Sequence, residues 1–268
     1  MTQPPDRPLT AGLHTVLAGP ELAPPVVLVH GFTQTHVSWA PVQTDLARDH
    51  RVTAVDAPGH GGSDSIHADL VEGSRLLGAA GGPAIYVGYS MGGRLALRLA
   101  LDRPDLVAGL VLLGATAGIA DPIERAARLQ SDHALATKLE ADGVTSFLGQ
   151  WLAQPLFADL EVRSTDLTAR QANSIAGLAS SLRLAGSATM DPPWWAELPG
   201  LSVPTLVLAG EQDQKFTGVG HRLVQAIGDN SRFETLAGTG HAAHLQDPVA
   251  FAARVREFVA SCDKTPLD

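Results

Sequence analysis

The sequence has little cysteine and no long apolar run, and both shortages restrict what the protein can be. Cys262 is the only cysteine among 268 residues, so no intramolecular disulfide can form, and a cytoplasmic location is expected. No stretch of 18 uninterrupted apolar residues is present, and residues 1–10 lack the basic start and apolar run of a signal peptide. We therefore expect neither a membrane span nor secretion.

Positive charge is also scarce, because 19 Lys and Arg residues face 28 Asp and Glu residues and leave a net charge of -9. This balance disfavours a nucleic-acid partner, although a local arginine cluster could still bind a small anion. No Walker motif occurs. The histidines at positions 30, 36, 60, 67 and 133 show no metal-ligand spacing, and His241 and His244 lack a third ligand. The sequence therefore predicts no metal site.

Short apolar runs alternate with helical patterns along the chain. Strand-like runs occupy 25–31, the start of 51–64, 84–90, 109–115, 204–213 and 232–241, and helices are predicted at about 41–49, 91–102, 221–227 and 248–260. Nearly continuous apolar strands are typical of a parallel sheet that is buried on both faces. The alternation indicates an α/β fold with a mostly parallel sheet flanked by helices.

One long segment interrupts this alternation. Residues 116–198 contain no strand-like run, and they read as helices with a break near Gly143 and a further helix within 174–186. Some 80 residues are too many for a plain connection between strands. We expect an α/β core made of residues 1–115 and 199–268, with residues 116–198 inserted as a helical cap.

The pentapeptide Gly88-Tyr89-Ser90-Met91-Gly92 matches the G-x-S-x-G nucleophile elbow. A strand pattern precedes it and a helical pattern follows it, which is the context that the motif requires. A glycine-rich turn with an incidental serine is the alternative, whereas the G-x-G-x-x-G dinucleotide fingerprint is not matched. The pattern predicts an exposed Ser90 that serves as nucleophile or base.

An unactivated serine needs a histidine and an acid that orients the histidine, and in this architecture they follow in the order acid, then histidine. Asp213 follows a late strand and His241 follows the last one. Glu211 is the rival acid and lies less deep in its loop. His244 is the rival base, with the alternative reading of a surface residue at a helix start.

A developing negative charge needs fixed donors. The Met91 N–H lies at the start of a predicted helix, and the second donor in such sites comes from the loop after the early strand. Phe32 is placed in that loop to supply its N–H, and we interpret His30 as a structural histidine packed beneath it. The predicted oxyanion hole is therefore formed by Phe32 and Met91.

The motifs HGF, DAPGHGGSD, GYSMGGR, GEQD and GH, in this order, resemble the α/β-hydrolase superfamily over about residues 24–259. The chain also resembles a narrower group, the MenH family of 2-succinyl-6-hydroxy-2,4-cyclohexadiene-1-carboxylate synthases of menaquinone biosynthesis. The additional motifs that carry this resemblance are ERAARLQSD, FLGQWLAQPLFADL, RQAN, GEQDQKF and GHAAHLQDP. This resemblance implies a lyase without a cofactor. Its serine, held by His and Asp, removes a proton, and a 2,5-elimination expels pyruvate.

The resemblance also implies a small polycarboxylate substrate that is held by arginines. The positions that match the family's substrate-binding residues are Tyr89, Arg94, Arg128, Trp151 and Arg170. Arg94 also lies one helical turn after the serine, so both side chains can share a face. The alternative is that these arginines are solvated surface residues and that Trp151 only packs. RQAN departs from the asparagine-rich version that the family pattern leads us to expect.

The sequence is also compatible with other functions. The same triad would suit a serine hydrolase for a small acidic substrate, either a carbon–carbon bond hydrolase or a carboxylesterase, and also a perhydrolase or haloperoxidase. A neutral ester would not need three cations, so the carbon–carbon bond hydrolase is the strongest rival. A non-catalytic binding protein would lack a triad member. We expect a monomer or weak homo-oligomer without membrane or nucleic-acid partners.

Overall fold

The computed structural model describes residues 12–158 and 160–262. Its strands are β1 (Thr15–Ala18), β2 (Pro25–Val29), β3 (Arg51–Val55), β4 (Ala84–Tyr89), β5 (Val107–Leu113), β6 (Thr205–Gly210) and β7 (Ser231–Leu236). Its α-helices are α1 (Ala40–Leu46), α2 (Leu70–Gly81), α3 (Met91–Asp102), α4 (Pro122–Leu152), α5 (Ser164–Gln171), α6 (Ile175–Leu184), α7 (Gln214–Ile227), α8 (Ala243–Gln246) and α9 (Pro248–Cys262).

The strands form one seven-stranded sheet in the order β1-β3-β2-β4-β5-β6-β7. Only β1 runs antiparallel to its neighbour, and every other pairing is parallel. The predicted mostly parallel sheet with flanking helices is therefore confirmed. The carboxyl ends of the parallel strands share one edge, where ligands bind in open α/β sheets.

Helices cover both faces of the sheet, which explains why β4 and β6 are buried at every position. Successive side chains of a strand point to opposite faces, so Val27 and Val29 of β2 pack with α2, α3 and α7, while Val26 and Leu28 pack with α1 and α9. Strands that are apolar on both faces must lie inside such a three-layer arrangement.

A helical insert made of α4, α5 and α6 lies between β5 and β6. Gly143 interrupts α4 with φ 77° and ψ 166°, so the predicted break is confirmed. Buried residues of α4 and α6, among them Phe147 and Leu178, form a separate apolar cluster against which Phe32 of the core packs. The boundaries at 115/116 and 198/199 remain a prediction. Residues 1–11, on which the expectation of no signal peptide falls, and residues 263–268 lie outside the described part.

Some elements differ from the sequence prediction. Helix α7 begins at Gln214 instead of 221, because the Asp213 side chain caps it by accepting the Phe216 N–H at 3.1 Å. The edge strand β1 and the helices α2 and α5 were not predicted.

No helix within residues 12–158 and 160–262 is both long and apolar enough to cross a membrane.

Candidate active site

Ser90 lies at the turn between β4 and α3, at the carboxyl edge of the sheet. Its backbone adopts φ 51° and ψ -105°, a conformation that costs energy for any residue with a side chain. The turn is held from outside, because the Ser90 N–H donates to the Leu113 carbonyl at 2.9 Å. This strained strand-to-helix turn is the geometry of a nucleophile elbow.

The glycines that flank the serine are required by close backbone approaches. A Cβ atom at Gly92 would lie 2.2 Å from the Val29 carbonyl oxygen, and one at Gly88 would lie 2.5 Å from the Gly92 carbonyl oxygen. Both contacts are with backbone, which has little freedom to retreat. The glycines of the G-x-S-x-G pattern are therefore needed because α3 packs tightly against β2 and β4.

His241 and Asp213 meet in the loops that follow β7 and β6. The His241 Nδ1 atom lies 2.7 Å from Asp213 Oδ2, and both residues are buried. The other oxygen of Asp213 accepts the Phe216 N–H, so the carboxylate is fixed on two sides. A carboxylate on Nδ1 holds the imidazole in the tautomer whose Nε2 can accept a proton.

The rival residues lie elsewhere. Glu211 is exposed, and its carboxylate accepts the Gly238 N–H at 2.8 Å. His244 is fully buried, with its ring 4.3 Å from that of Tyr89 and 4.4 Å from that of Trp39. Burial lowers the pKa of His244 well below its usual value. The alternative reading of His244 as a surface residue is therefore wrong, because the start of α8 packs against the core.

Phe32 and Met91 are the residues predicted to form the oxyanion hole. Met91 is the first residue of α3, so its N–H has no acceptor within the helix. In the loop after β2, the Gly31 N–H donates to Gln34 Oε1 at 3.1 Å and the Thr33 N–H to His60 Nε2 at 3.2 Å. The Phe32 amide lies between these two engaged amides. Phe32, Ser90 and Met91 all line one cavity.

His30 is fully buried beneath this loop. Its Nε2 atom accepts the Ala57 N–H at 3.0 Å, and its Nδ1 atom lies 2.8 Å from the Gly31 carbonyl oxygen. Burial lowers its pKa, and both ring nitrogens contact backbone groups beneath the loop, as the structural interpretation predicts.

The cavity has a volume of about 790 Å³ and extends from Ser90 and His241 beneath the helical insert. Such a volume suits a small organic ligand. Cationic side chains line it, namely Arg94, Arg128, Lys215 and Arg222. Carboxylates at Asp121, Glu124 and Asp132 also line it.

Arg94 presents a partly unsatisfied guanidinium to this cavity. One of its terminal nitrogens donates to the Ala185 carbonyl at 2.8 Å, whereas its Nε atom is buried and has no partner among the described residues. Burial lowers the pKa of Arg94 to about 10, and the nearby Arg128 acts in the same direction. The group stays protonated at neutral pH, and an anion in the cavity would relieve its poor solvation.

Arg128 and Asp132 form an ion pair on one face of α4, with Nε and Oδ1 2.8 Å apart. Asp132 is nearly inaccessible to solvent, and its Oδ2 atom has no partner within the described residues. Burial raises the pKa of Asp132, and the two nearby arginines, Arg128 and Arg94, oppose this effect. The arginines of the core and of the insert are thus brought together around one carboxylate.

Arg170 does not join this set. It is buried on α5, where Nε pairs with Asp166 Oδ2 at 2.8 Å and a terminal nitrogen donates to Thr33 Oγ1 at 2.8 Å. Asp166 in turn accepts a hydrogen bond from the Ser38 hydroxyl. Arg170 is absent from the cavity lining, so its contacts tie the insert to the loop that carries Phe32.

Tyr89 and Trp151 both line the cavity. Burial raises the pKa of Tyr89, and its ring lies 5.3 Å from that of His241. The Trp151 ring lies 5.0 Å from that of Phe32 and 5.9 Å from that of Phe147. Trp151 therefore serves both as a packing residue of the insert and as a wall of the cavity.

Lys215 and Arg222 of α7 also line the cavity and were not predicted from the sequence. They are seven positions apart, a spacing that puts both on one helix face, and this face borders the cavity. Arg222 also covers the Trp195 ring at 4.5 Å. The helical spacing could have revealed the pair if the start of α7 had been predicted at 214.

Comparisons with known proteins agree with this geometry. A family model described as "Alpha/beta hydrolase family" matches residues 26–254. The chain therefore belongs to the alpha/beta hydrolase family.

Within this family, the chain is related to 2-succinyl-6-hydroxy-2,4-cyclohexadiene-1-carboxylate synthases. It is 35% identical to the one from Pectobacterium atrosepticum, over 89% of this chain and 95% of that one. It is 33% identical to the one from Yersinia pestis, over 93% and 90%. The structure of MenH from S. aureus superposes with a TM-score of 0.84 at 28% identity, covering 94% of this chain and 99% of that one. A thermophilic esterase from Thermogutta terrifontis shares the fold, with a TM-score of 0.80 at 23% identity over 93% of both chains.

Proposed function

We propose that the protein is a MenH-type lyase that forms 2-succinyl-6-hydroxy-2,4-cyclohexadiene-1-carboxylate by a 2,5-elimination of pyruvate. The observation that carries this proposal is the cavity that joins Ser90 and His241 to the guanidinium groups of Arg94 and Arg128. The relatives at 33–35% identity carry the name of this activity. A base beside two guanidinium groups is suited to removing a proton from a polycarboxylate.

In the proposed mechanism, Ser90, His241 and Asp213 form the triad. His241 Nε2 takes the Ser90 hydroxyl proton, and the resulting alkoxide removes a proton from the substrate ring. The electron pair released forms a double bond to the neighbouring ring carbon, the ring double bond already present shifts by one position, and the bond from the ring to the enolpyruvyl oxygen breaks with its electron pair on the oxygen. The protonated histidine returns a proton to the leaving group, which departs as pyruvate. Asp213 stabilises the charged imidazole through the 2.7 Å contact with Nδ1.

The amides of Phe32 and Met91 stabilise the charge that develops during proton removal. An enolate or carboxylate oxygen placed beside Ser90 would face both N–H groups, and the start of α3 adds the favourable end of the helix dipole. These donors need no rearrangement in the transition state, because the elbow and the loop after β2 are held by their own hydrogen bonds. The reaction uses no cofactor.

Substrate carboxylates bind to Arg94 from α3 and to Arg128 from α4. A guanidinium matches a carboxylate with two parallel hydrogen bonds, and the unpartnered Nε of Arg94 gives it a free donor for this purpose. Arg170 acts differently from the substrate-binding role that its motif implied. It positions the loop that carries Phe32, through the hydrogen bond to Thr33. Trp151 and Tyr89 supply apolar walls.

The test compares two reactions catalysed by one preparation. The enolpyruvyl precursor is generated in situ, elimination is followed by ultraviolet absorbance and by coupled pyruvate detection, and a series of p-nitrophenyl esters is run in parallel. We expect fast elimination, negligible ester cleavage, and loss of elimination in Ser90→Ala. Slow elimination together with fast ester cleavage would leave the triad in place and reject the lyase in favour of a serine hydrolase.

A further inference from the structure

Away from the cavity, three side chains from separate segments converge on one point. His14 precedes β1, His36 follows the loop after β2, and Asp56 follows β3. Their candidate ligand atoms all lie within 4.8 Å of one another. None of them lines the proposed active-site cavity. We propose that His14, His36 and Asp56 form a binding site for a first-row divalent cation, with Zn²⁺ as the metal best matched by the donor set.

The distances suit a metal with short bonds. His14 Nδ1 lies 2.8 Å from Asp56 Oδ2, and His36 Nδ1 lies 3.0 Å from each carboxylate oxygen. Tetrahedral Zn²⁺ with bonds of about 2.0 Å holds its ligand atoms about 3.3 Å apart. The nitrogen–oxygen distances need to open by only a few tenths of an ångström, which small side-chain rotations provide.

The chemistry of the donors also points to this class of metal. Two imidazole nitrogens and one carboxylate oxygen form the set that binds Zn²⁺ and its first-row neighbours, whereas Mg²⁺ and Ca²⁺ prefer oxygen ligands. Three protein ligands leave one position of a tetrahedral site for water. The His14 and His36 side chains are 42% and 27% exposed, so an ion can enter from solvent.

The surrounding hydrogen bonds hold the ligands in place, as metal sites require. Asp56 is fully buried and accepts the His36 N–H at 2.7 Å and the Gly62 N–H at 2.9 Å. The His14 N–H donates to Ser63 Oγ at 2.8 Å. A Cβ atom at Gly62 would lie 2.5 Å from His14 Cγ, so this loop packs closely on the imidazole.

His30 does not join the ligand set. Its Nε2 atom lies 3.9 Å from Asp56 Oδ1, but that nitrogen already accepts the Ala57 N–H. The site therefore has His14 and His36 as its nitrogen ligands. The short sequence spacings that suggest zinc sites are absent here, because the ligands are 22 and 20 residues apart in the chain.

The experiment is a Zn²⁺ titration of the chelator-treated, tag-free protein by calorimetry, together with Co²⁺ as a spectroscopic probe. His14→Asn and His36→Asn are the test variants, because the asparagine amide can still donate to Asp56 while the imidazole ligand is removed. His67→Ala, at an exposed histidine outside the cluster, is the matched control. Thermal unfolding with and without Zn²⁺ is measured for all four proteins.

We expect the wild type and His67→Ala to bind one equivalent of Zn²⁺, to show Co²⁺ ligand-field absorption, and to melt at a higher temperature with the metal. Each asparagine variant should bind Zn²⁺ at least roughly tenfold more weakly, since losing even an outer partner of a metal ligand costs that much. The proposal is overturned if the wild type binds no Zn²⁺ at micromolar concentrations, or if both asparagine variants bind it as tightly as the wild type. The three side chains would then form only a hydrogen-bonded cluster.

Discussion

Arg94→Met tests the proposed carboxylate site most directly. Methionine keeps the volume of the buried side-chain stem and removes only the guanidinium, so packing between α3 and the insert is largely retained. Arg94 is the cationic residue one helical turn after Ser90, and its Nε atom has no partner among the described residues. We therefore expect a large effect on catalysis and a small one on stability.

The structure allows both magnitudes to be worked out. The hydrogen bond to the Ala185 carbonyl is lost, which costs about 1 kcal/mol of the free energy of unfolding, or about 2–4 °C of melting temperature for a chain of this size. Loss of a desolvated ion pair with a substrate carboxylate costs about 2–4 kcal/mol. That range corresponds to a decrease in kcat/KM of about 30-fold to 1,000-fold.

The assay is kcat/KM for elimination at neutral pH, where a guanidinium whose pKa is about 10 is charged. Arg103→Met is the matched control, because Arg103 directly follows the same helix, is exposed, and its side chain pairs only with Asp105 among the described residues. The control should keep the wild-type kcat/KM. If Arg94→Met also keeps it while remaining folded, Arg94 does not bind the substrate and the proposed site is wrong.

Three further predictions concern the triad, the elbow and the loop after β3. Asp213→Asn should lower kcat for elimination about 10³–10⁴-fold, because the imidazole loses its orienting carboxylate; Glu211→Gln should leave kcat unchanged, and equal losses would contradict the assigned acid. Gly92→Ala should lower the free energy of unfolding by about 1–3 kcal/mol, since its Cβ meets a backbone oxygen at 2.2 Å, whereas Gly149→Ala, with open space around it, should cost nothing measurable in urea unfolding. Burial lowers the pKa of His60 from 6.5 to about 3, so below pH 6.5 the unfolded chain takes up a proton that the native protein excludes. Stability should therefore fall with decreasing pH, by about 2 kcal/mol between pH 7 and 5 from this residue, and a His60→Gln variant with the same pH dependence would refute this cause.

Local patterns predicted the elements that have strong local signals. Helix α3 runs from Met91 to Asp102 as expected, because apolar strand, glycine turn and amphipathic helix follow one another without ambiguity. Strand β1 was missed, because it has four residues and is an edge strand whose pairing with β3 comes from a distant segment. Helix α7 was predicted too short. Asp213 was interpreted as the triad acid, so its second role as the N-cap of a helix that starts at Gln214 was not recognised.

Candidate site residues were also easier to predict where the signal is local than where it depends on contacts between distant segments. The order Ser90, Asp213, His241 could be read from positions after strands, because parallel strands deliver their carboxyl ends to one edge. Arg170 could not be assigned in this way. Its motif matches a substrate-binding arginine, whereas in the structure Asp166 and Thr33 lie within hydrogen-bond distance of its guanidinium, and one of its terminal nitrogens is buried without a partner among the described residues.

The sequence by itself determined the mostly parallel sheet, the helical insert and the tight turn at Ser90, because these depend on periodicity and on glycines next to one another in the chain. Only the tertiary structure decided which cations share the cavity. It also brought His14, His36 and Asp56 within 4.8 Å of one another, where sequence spacing had predicted no metal site. The physical reason is that hydrogen bonds and ion pairs depend on distances of about 3 Å, and the chain fixes such distances between remote residues only when its layers pack.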